Sequence, residues 1–497
     1  MAASAENVPL PPGFEGYSGQ AEDEVDPNEL AMFKDFMGET KSSGGYAGYG
    51  DANTGGKGSS TSSKNGMGLT GEDTATVEVV TYKDEGAPDD LGLNLLDTEA
   101  RFEDLQLSEN LLQGIYETGF VKPSKIQAAA LPMIAFRNGR LGQNMIGQAQ
   151  NGSGKTATFS LAVLSAIDAS VMMPQAIIIC PTRELAKQND AVISGLGKYI
   201  PVATQLVMPG QDRVPKNPQC HVLIGTPGKM MDMVKKRIID VSMVRVFVLD
   251  EADMMLNQEN QMGPQVTQVR RFLPADIQVL FFSATYPDDV REFAENLVPR
   301  AVSIKVRKTD LTVSSVQQMY MVCKDENDKL DKLSELYAAM NVSQSVVFVN
   351  QRKKAFSLAQ SMQSAGHGVS LICGTQTQGE ERMDPALRDK VMDEFRSGVT
   401  RVLIATDVLA RGIDVPQVTL VVNYQMPTSF QTRGVDMETY LHRVGRTGRF
   451  GLRGIAVNLV TPAEKHCVDE VCSFFACKIP EMDSDFEKLE ERLRVLR

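Results

Sequence analysis

The stretch Ala149-Gln-Asn-Gly-Ser-Gly-Lys-Thr156 decides how this sequence folds. It matches the phosphate-binding loop that joins a strand to a helix, with alanine at the first position, where the strict pattern has glycine. Gly152 and Gly154 let backbone N–H groups approach phosphate oxygens, Lys155 would reach the terminal phosphates, and the Thr156 hydroxyl would face Mg²⁺. Taken alone, the stretch is also compatible with a glycine-serine turn that only caps a helix.

A second motif, Val244-Arg-Val-Phe-Val-Leu-Asp250-Glu251, follows about 95 residues later. Its apolar run predicts a buried strand that ends in two carboxylates. Asp250 suits a metal shell, and Glu251 suits the polarisation of an attacking water, as phosphoryl transfer requires. An acidic pair at a strand end is by itself only a solvated terminus, so this prediction depends on the phosphate-binding loop.

A third motif is the arginine cluster His442-Arg-Val-Gly-Arg-Thr-Gly-Arg449. Its two glycines would each weaken an ordinary exposed helix by about 1 kcal/mol, which disfavours the alternative of a solvated helix face. The pattern favours a loop that leads into a helix start and presents guanidinium groups to phosphate. Arg446 and Arg449 are candidate arginine fingers. Because they lie in the second half of the chain, hydrolysis would require two domains to close.

The composition is that of a globular protein without a membrane span. The 497 residues are 42% hydrophobic and 23% charged, and no apolar run approaches the roughly 18 residues that a bilayer requires. The first ten residues lack the basic and apolar regions of a secretory signal. The 7 cysteines are odd in number and scattered, which is unlike a disulfide framework and predicts a reducing compartment.

The net charge of −12 is concentrated at the N-terminus. Residues 1–100 contain 19 acidic and 5 basic residues, which leaves 44 acidic and 46 basic residues in 101–497. The acidity therefore does not exclude a body that binds a polyanion.

Short β-rich apolar runs alternate with amphipathic helical patterns from residue 101 onward, which predicts βαβ units and parallel sheets. Two series of runs, separated by a polar interval, predict two α/β domains. The predicted strands are Ala176–Cys180, His221–Gly225, Val244–Leu249 and Gln278–Phe282, then Ser345–Val349, Val369–Ile372, Val402–Ala405, Leu420–Val422 and Ile455–Val460. Polar residues directly follow the strands of the first series, so they should converge on one crevice at the carboxyl edge of the sheet.

We predict five segments along the chain. Residues 1–100 would be a disordered, acidic, glycine- and serine-rich tail. Residues 101–306 would form the first domain, 307–315 a linker, 316–480 the second domain, and 481–497 a C-terminal helix with alternating charges.

With these motifs the sequence resembles the DEAD-box ATP-dependent RNA helicases over roughly Phe102 to Val460. Further stretches that carry the resemblance are Gly119-Phe120, Lys122-Pro-Ser-Lys-Ile-Gln127, Pro181-Thr-Arg-Glu-Leu185, Gly225-Thr-Pro-Gly228, Asp250-Glu-Ala-Asp253, Ser283-Ala-Thr285, Val347-Phe-Val-Asn350 and Ala405–Asp414. The resemblance implies an α/β fold of two RecA-like parallel-sheet domains in tandem behind the disordered tail. It also implies RNA-stimulated hydrolysis of ATP with Mg²⁺ as cofactor.

The resemblance assigns the nucleotide site residue by residue. Phe120 would stack on the base and Gln127 would read the adenine edge, which selects ATP. The catalytic residues would be Lys155, Asp250, Glu251, Arg446 and Arg449, with the metal at Thr156 and Asp250. The ATP-binding set would be Phe120, Gln127, Gln150, Gly152, Ser153, Gly154, Lys155, Thr156, Gly412 and Asp414.

The RNA site implied by the resemblance spans both domains. Its residues would be Pro181, Thr182, Arg183, Thr226 and Gly228, with Arg352 and Thr406 from the second domain. Hydroxyls, arginines and helix-start N–H groups suit phosphates and sugars, so single-stranded RNA should bind largely without sequence preference. The residues coupling the two sites would be Ser283, Thr285, Asp253 and His442.

Two stretches depart from the family pattern. Pro209-Gly210 stands where the family has paired glycines, and a Gln-x-x-Arg element is stretched to Gln378-Gly-Glu-Glu-Arg382. We assign neither a role in the site.

Within the family, the sequence is most similar to the members that act in mRNA export at the nuclear pore. The features are Leu112-Gln-Gly-Ile-Tyr116, Lys125-Ile-Gln127, Val246-Phe-Val-Leu-Asp250 and a long insertion from Thr428 to Thr439. This resemblance implies a monomer of cytoplasm and nucleus, located at the cytoplasmic face of the pore. Besides RNA, the implied partners are an activator carrying inositol hexakisphosphate and a nucleoporin. A translation-initiation-type helicase and an RNA-binding scaffold with little ATP turnover are the alternatives.

The residues His466, Cys467, Cys472 and Cys477 have the composition of a metal site but not its spacing. Steps of five residues rotate each side chain by about 140° around a continuous helix, so these side chains would not share a face. The short C-x₂-C spacing of zinc sites is also absent. We predict a structural role for these cysteines.

Overall fold

The computed structural model of the chain describes residues 77–80, 100–149, 152–210, 214–257, 262–298, 300–306, 316–339, 344–373, 385–407, 415, 417–429, 434–448 and 453–482. These residues form two α/β domains, each built on its own sheet. No helix among them is both long and apolar enough to cross a membrane.

The first domain contains a sheet of eight strands. They are β1 Val77–Val80, β2 Met145–Gln148, β3 Ala176–Ile179, β4 Thr204–Val207, β5 Val222–Gly225, β6 Val246–Asp250, β7 Gln278–Ser283 and β8 Val302–Val306. Their spatial order is β1-β8-β2-β7-β6-β3-β5-β4, and every pairing is parallel except that of β1 with β8. The central strands β3, β5, β6 and β7 are buried at every residue, which explains their continuous apolar runs.

Helices cover both faces of this sheet. A 3-10 helix over Phe102–Leu105 precedes α1 Glu109–Glu117, α2 Lys125–Ile134, α3 Lys155–Ala166, α4 Arg183–Leu196, α5 Pro227–Lys235, α6 Ala252–Leu256, α7 Met262–Phe272 and α8 Asp288–Leu297. Side chains alternate along β6 between two apolar clusters. Val246 and Val248 pack in a cluster that includes residues of α1 to α4, whereas Phe247 and Leu249 pack in one that includes residues of α5 to α8.

The first strand comes from the segment predicted as a disordered tail. Val77–Val80 pairs antiparallel with β8, with Val77 opposite Val306. The structure therefore places four residues of that segment in the sheet, while residues 1–76 and 81–99 lie outside the described part. Alternating valines are typical strand formers, but the surrounding polar composition concealed them.

The second domain contains a parallel sheet of six strands. They are β9 Val316–Val322, β10 Gln344–Phe348, β11 Val369–Ile372, β12 Val402–Ala405, β13 Val418–Asn423 and β14 Gly454–Val460. Their spatial order is β11-β12-β10-β13-β14-β9. The helices are α9 Glu326–Ala339, α10 Arg352–Ser364, α11 Pro385–Arg396, α12 Met437–Val444 and α13 Lys465–Phe475.

The predicted strands are all present, with ends displaced by at most two residues. The apolar-run criterion missed strands that are short, polar or at an edge, such as β2, β4, β8 and β9. The predicted linker at 307–315 lies outside the described residues. At the other end, Met482 N–H donates to the Tyr320 carbonyl over 2.7 Å, so the first residues of the predicted C-terminal helix run alongside β9 instead. Residues 483–497 lie outside the described part.

Candidate active site

The phosphate-binding loop follows β2 and leads into α3. Gly154, with φ at +96°, is the residue that precedes α3, and Gly152 has φ at +77°. Both values lie in the left-handed region that glycine adopts without strain. A Cβ atom on Gly154 would lie 2.6 Å from Nε2 of Gln127. The Lys155 ammonium is folded inward and donates to the carbonyl of Ala149 over 2.6 Å.

The predicted adenine-reading residue is held against this loop. Oε1 of Gln127 accepts a hydrogen bond from the Ser124 backbone N–H over 2.9 Å, and its Nε2 donates to the Gly154 carbonyl over 3.3 Å. The first bond caps α2, and the two together fix the amide orientation. Phe120 is half-buried, and its ring packs edge-on against Phe102 with the centroids 6.5 Å apart.

The acidic pair lies at the carboxyl end of β6, as predicted. Asp250 is 3% exposed and accepts a hydrogen bond from Nδ2 of Asn189 over 3.0 Å. Burial raises the pKa of Asp250 to about 7, and the Glu251 charge adds to the effect, while the Asn189 bond and Lys155 oppose it. Glu251 is also buried and adopts φ of +58°, which turns the chain sharply into α6.

The Lys155 ammonium is at the centre of the buried charges. Burial lowers the pKa of Lys155, the carboxylates of Glu251, Asp250 and Asp253 oppose this, and the Arg446 charge lowers it further. Arg446 belongs to the second domain, so both domains contribute charge to one buried cluster.

Asp253 joins the two domains directly. Its Oδ2 atom accepts a short hydrogen bond from the Thr285 hydroxyl and lies 3.3 Å from Nε2 of His442. The side chains of Asp253 and His442 are fully buried. Ligand atoms of Glu251, Asp253 and His442 all lie within 4.8 Å of one another. Three of the four predicted coupling residues thus meet at one point, and the fourth, Ser283, lies buried at the end of β7.

Helix α12 carries His442 and ends at Val444, so Arg446 follows the end of a helix, whereas the sequence predicted a helix start here. Nε of Arg446 donates to the His442 carbonyl over 2.9 Å, and the residue is 4% exposed. Arg443 is fully buried between them and donates to Asn350 Oδ1 over 2.8 Å and to Asp407 Oδ1 over 2.6 Å. These bonds fix the orientation of α12. Arg449, Gln150, Gly412 and Asp414, also predicted for the site, lie outside the described residues.

The predicted RNA residues lie at strand ends and helix starts. Thr182 caps α4 by accepting the Leu185 N–H over 3.3 Å. Thr226 precedes α5, and Arg352 begins α10. Among the described residues, no hydrogen-bond partner exists for the buried Thr406 hydroxyl. Pro181 and Gly228 also follow strands, at the carboxyl edge of the first sheet.

Arg183 differs from the prediction in having a protein partner. Its Nη2 atom donates to Oδ2 of Asp389 over 3.2 Å, across the domain boundary. Its Nε and Nη1 atoms are buried and have no hydrogen-bond partner among the described residues.

Sequence reasoning missed the residues that pair across the cleft beside Arg183. Glu184 and Arg388 form a buried ion pair, with Nε 2.7 Å from Oε1 and Nη2 2.9 Å from Oε2. Lys187 lies 2.7 Å from Asp389. Glu184 lies within the Pro181–Leu185 motif without a predicted role, and Arg388 belongs to no predicted motif, yet the structure presents Arg388 to the first domain. An arginine near the start of an amphipathic helix was the available signal.

Comparison with known proteins places these residues in a family. A model described as DEAD/DEAH box helicase matches residues 124–293, and one described as helicase conserved C-terminal domain matches 328–451. The ATP-dependent RNA helicase DBP5 of Mycosarcoma maydis is 43% identical over 395 residues, covering 79% of this chain and 84% of that protein. The chain belongs to the DEAD-box RNA helicases. It is therefore an ATP-dependent RNA helicase and ATPase, as predicted.

Solved Dbp5 structures match both domains of the chain. Saccharomyces cerevisiae Dbp5 bound to RNA and ADP BeF3 has a TM-score of 0.75 and 39% identity, covering 80% of this chain and 99% of that one. A Dbp5 variant bound to Nup159, a Gle1 variant, IP6 and ADP has a TM-score of 0.58 and 37% identity, covering 78% of this chain and 100% of that one. The RecA-like tandem fold that the resemblance implied is confirmed.

Proposed function

We propose that this DEAD-box helicase is an RNA clamp that ATP closes and hydrolysis opens, used for local unwinding or for remodelling of RNA-protein particles in mRNA export. The observation that carries the proposal is the contact of Asp253 with Thr285 in its own domain and with His442 in the other. The Asp253 carboxylate would therefore couple closure of the domains to the residues that follow β7. ATP and RNA would each span both domains, so each should tighten binding of the other, by about 1–3 kcal/mol.

The residues around the phosphate-binding loop fit ATP with Mg²⁺. Asp250 is a buried carboxylate whose pKa is raised to about 7, so a cation near it would relieve a charge that burial disfavours. Asp250 and Thr156 would hold Mg²⁺, which would neutralise charge on the β- and γ-phosphates. Lys155 would contact the same phosphates, and Glu251 would orient the attacking water.

Arg446 and Arg449 would stabilise the charge that develops on the transferred phosphoryl group. Arginine fingers contribute about 10³–10⁵ in rate where they have been measured. Arg446 is already inside the buried cluster, since its charge lowers the pKa of Lys155. Release of phosphate would remove the group that holds both arginines, and the clamp would open.

RNA would bind across the rim formed by Thr182, Arg183, Thr226 and Gly228 in the first domain, with Arg352 and Thr406 in the second. These groups suit phosphates and sugars, so binding should not depend on sequence. Each phosphate contact that is lost should reduce the slope of log affinity against log salt by about 0.7.

The cellular role is proposed from the Dbp5 structures. Since relatives are solved with RNA, and with Nup159, Gle1 and IP6, we infer a nucleoporin and an activator carrying inositol hexakisphosphate as partners. The chain would then act at the cytoplasmic face of the nuclear pore.

The deciding experiment measures ATP hydrolysis with and without single-stranded RNA for the wild type and Glu251→Gln. We expect RNA to stimulate the wild type, and the variant to bind ATP and RNA normally while turning over at least about 100-fold more slowly. If RNA left the wild-type rate of ATP hydrolysis unchanged across a salt series, the alternative of an RNA-binding scaffold with little ATP turnover would be favoured. Stimulation by RNA without any response to an activator loaded with inositol hexakisphosphate would favour a translation-initiation-type helicase.

A further inference from the structure

Helix α13 ends in a way that brings Cys472 and Cys477 together. Ala476 adopts the left-handed conformation, with φ of +50° and ψ of +39°, and ends the helix after Phe475. The Cys477 N–H then donates to the Cys472 carbonyl over 3.1 Å. This is the Schellman helix end, in which the residue two positions past the helix folds back over the last turn. The five-residue rotation calculated for a continuous helix therefore does not apply to Cys477.

The two side chains come together at this helix end and are within reach of solvent. Cys472 and Cys477 occupy the two positions of a Schellman end whose side chains commonly meet, and the backbone bond from Cys477 to Cys472 fixes that arrangement. Both side chains are half-buried and pack on the same apolar cluster. The other cysteines, at 180, 220, 323, 373 and 467, are buried. Cys472 and Cys477 thus combine proximity with accessibility, the two requirements for thiol oxidation.

We propose that Cys472 and Cys477 are a redox-modification site that forms a reversible disulfide with a small-molecule disulfide such as oxidised glutathione. One thiolate attacks a glutathione sulfur, which forms a mixed disulfide and releases one glutathione thiolate. The second protein thiolate then attacks the protein sulfur of that mixed disulfide and releases the other glutathione. The protein loses two thiol protons and two electrons, and the glutathione disulfide is reduced to two thiols. Excess reduced glutathione reverses both steps.

The environment of the pair sets its pH dependence. Burial, with the neighbouring thiol, raises the pKa of Cys477. Because the thiolate is the attacking species, bridge formation should accelerate by up to about tenfold for each pH unit between neutral pH and that pKa.

The cysteine pair lies close to helix α12. The Phe475 ring, between the two cysteines in sequence, has its centroid 6.3 Å from that of Tyr440 on α12. Tyr440 in turn donates to Gln318 Oε1 over 2.8 Å. A bridge would therefore fix the end of α13 where it packs against the helix that carries His442.

The test uses the full-length protein in buffers of graded oxidised-to-reduced glutathione ratio. Free thiols are alkylated, and chymotrypsin then cleaves after Phe474 and Phe475, between the two cysteines. Only a bridge keeps the fragments joined. We expect joined fragments to increase with oxidised glutathione in the folded protein and to disappear on reduction. Cys467→Ser should behave as wild type, and Cys472→Ser should yield no joined fragment.

Three outcomes would overturn the proposal. The first is that no joined fragment forms at any ratio while circular dichroism shows a folded chain. The second is equal joining in Cys472→Ser, which would assign the bridge to Cys467. The third is joining only after urea unfolding, which would indicate random pairing of an unfolded chain.

Discussion

The carboxyl group of Asp250 is buried at the end of β6, and its pKa is raised to about 7. In the unfolded chain an aspartate titrates near 4, so the folded chain binds a proton that the unfolded chain releases between about pH 4 and pH 7. Protonated Asp250 stabilises the folded chain fully below about pH 4, the pKa of the unfolded aspartate. This stabilisation is lost as the pH rises through about 7, the pKa of Asp250 in the folded chain.

We therefore expect the nucleotide-free chain to lose stability through Asp250 between about pH 5 and pH 8, on the order of a few kcal/mol. Urea unfolding at both pH values measures the change, and Asp250→Asn provides the comparison because it keeps the shape without the titration. Mg²⁺ with ATP should reverse the trend, since a bound cation takes the place of the proton. Identical pH profiles for wild type and Asp250→Asn would contradict the assignment.

Gly154 combines two constraints at a single residue. A side chain there would be strained at φ of +96° and would place Cβ 2.6 Å from Nε2 of Gln127. We expect Gly154→Ala to weaken ATP binding at least tenfold, measured by titration with a fluorescent ATP analogue. Gly366→Ala is the matched control, because Gly366 has φ of +88° with nothing within 4 Å of the added Cβ. Equal effects of the two changes on ATP binding would show that strain alone is responsible.

At the scale of elements, α12 depends on the residue that begins it. Asp436 accepts the N–H groups of Glu438 and Thr439 over 3.1 and 3.0 Å, and the Thr439 hydroxyl over 2.7 Å. This cap lies at the end of the Thr428–Thr439 insertion, so the insertion helps to position His442 and Arg446.

We expect Asp436→Ala to destabilise the second domain by about 0.5–2 kcal/mol and to lower RNA-stimulated turnover, because α12 would fray where it begins. Asp436→Asn, which keeps an acceptor oxygen, should retain most of both. Thermal unfolding and steady-state ATPase rates check the prediction. If Asp436→Asn lost turnover while its melting temperature stayed unchanged, turnover would depend on the negative charge of Asp436 and not on its capping hydrogen bonds.

Strands could be predicted from the sequence where every residue of the strand is buried. Strands such as Val402–Ala405 were located to the residue from their apolar runs, because a buried parallel strand has no polar face. Edge strands such as Thr204–Val207 were missed, because their burial is partial and their sequence is mixed. The residues proposed for the nucleotide site could be predicted from sequence, because a tight phosphate-binding loop favours glycine and phosphate favours a cation. Arg388 was not, since a partner such as Glu184, about 200 residues away, leaves no local pattern.

At the scale of the molecule, charged side chains pair between the two domains. Glu184 and Arg388 are both nearly fully buried, at 2% and 4% exposure. Removing one member of such a pair costs about 3–5 kcal/mol in the state where it is buried. In the open state both side chains would be hydrated. The free-energy cost of removing one of them would therefore oppose closure of the domains.

We expect Arg388→Ala to shift the equilibrium towards the open state and to raise the RNA concentration needed for half-maximal ATPase activity at least tenfold. Energy transfer between dyes on the two domains, with RNA and a non-hydrolysable ATP analogue, measures closure. Lys390→Ala is the control on the same helix, since Lys390 is largely exposed and forms an ion pair with Glu394 one turn away. Normal closure in Arg388→Ala would show that the pair does not contribute.

The antiparallel strand β1 has a consequence for any shortened form of this chain. Without Val77–Val80, the outer backbone of β8 would present unsatisfied amide and carbonyl groups along an open rim. A second molecule could then pair one of its own strands with this open edge of the sheet. A fragment that starts at residue 100 should accordingly self-associate as its concentration rises. In the full chain, Val77–Val80 would protect this edge of the sheet against aggregation.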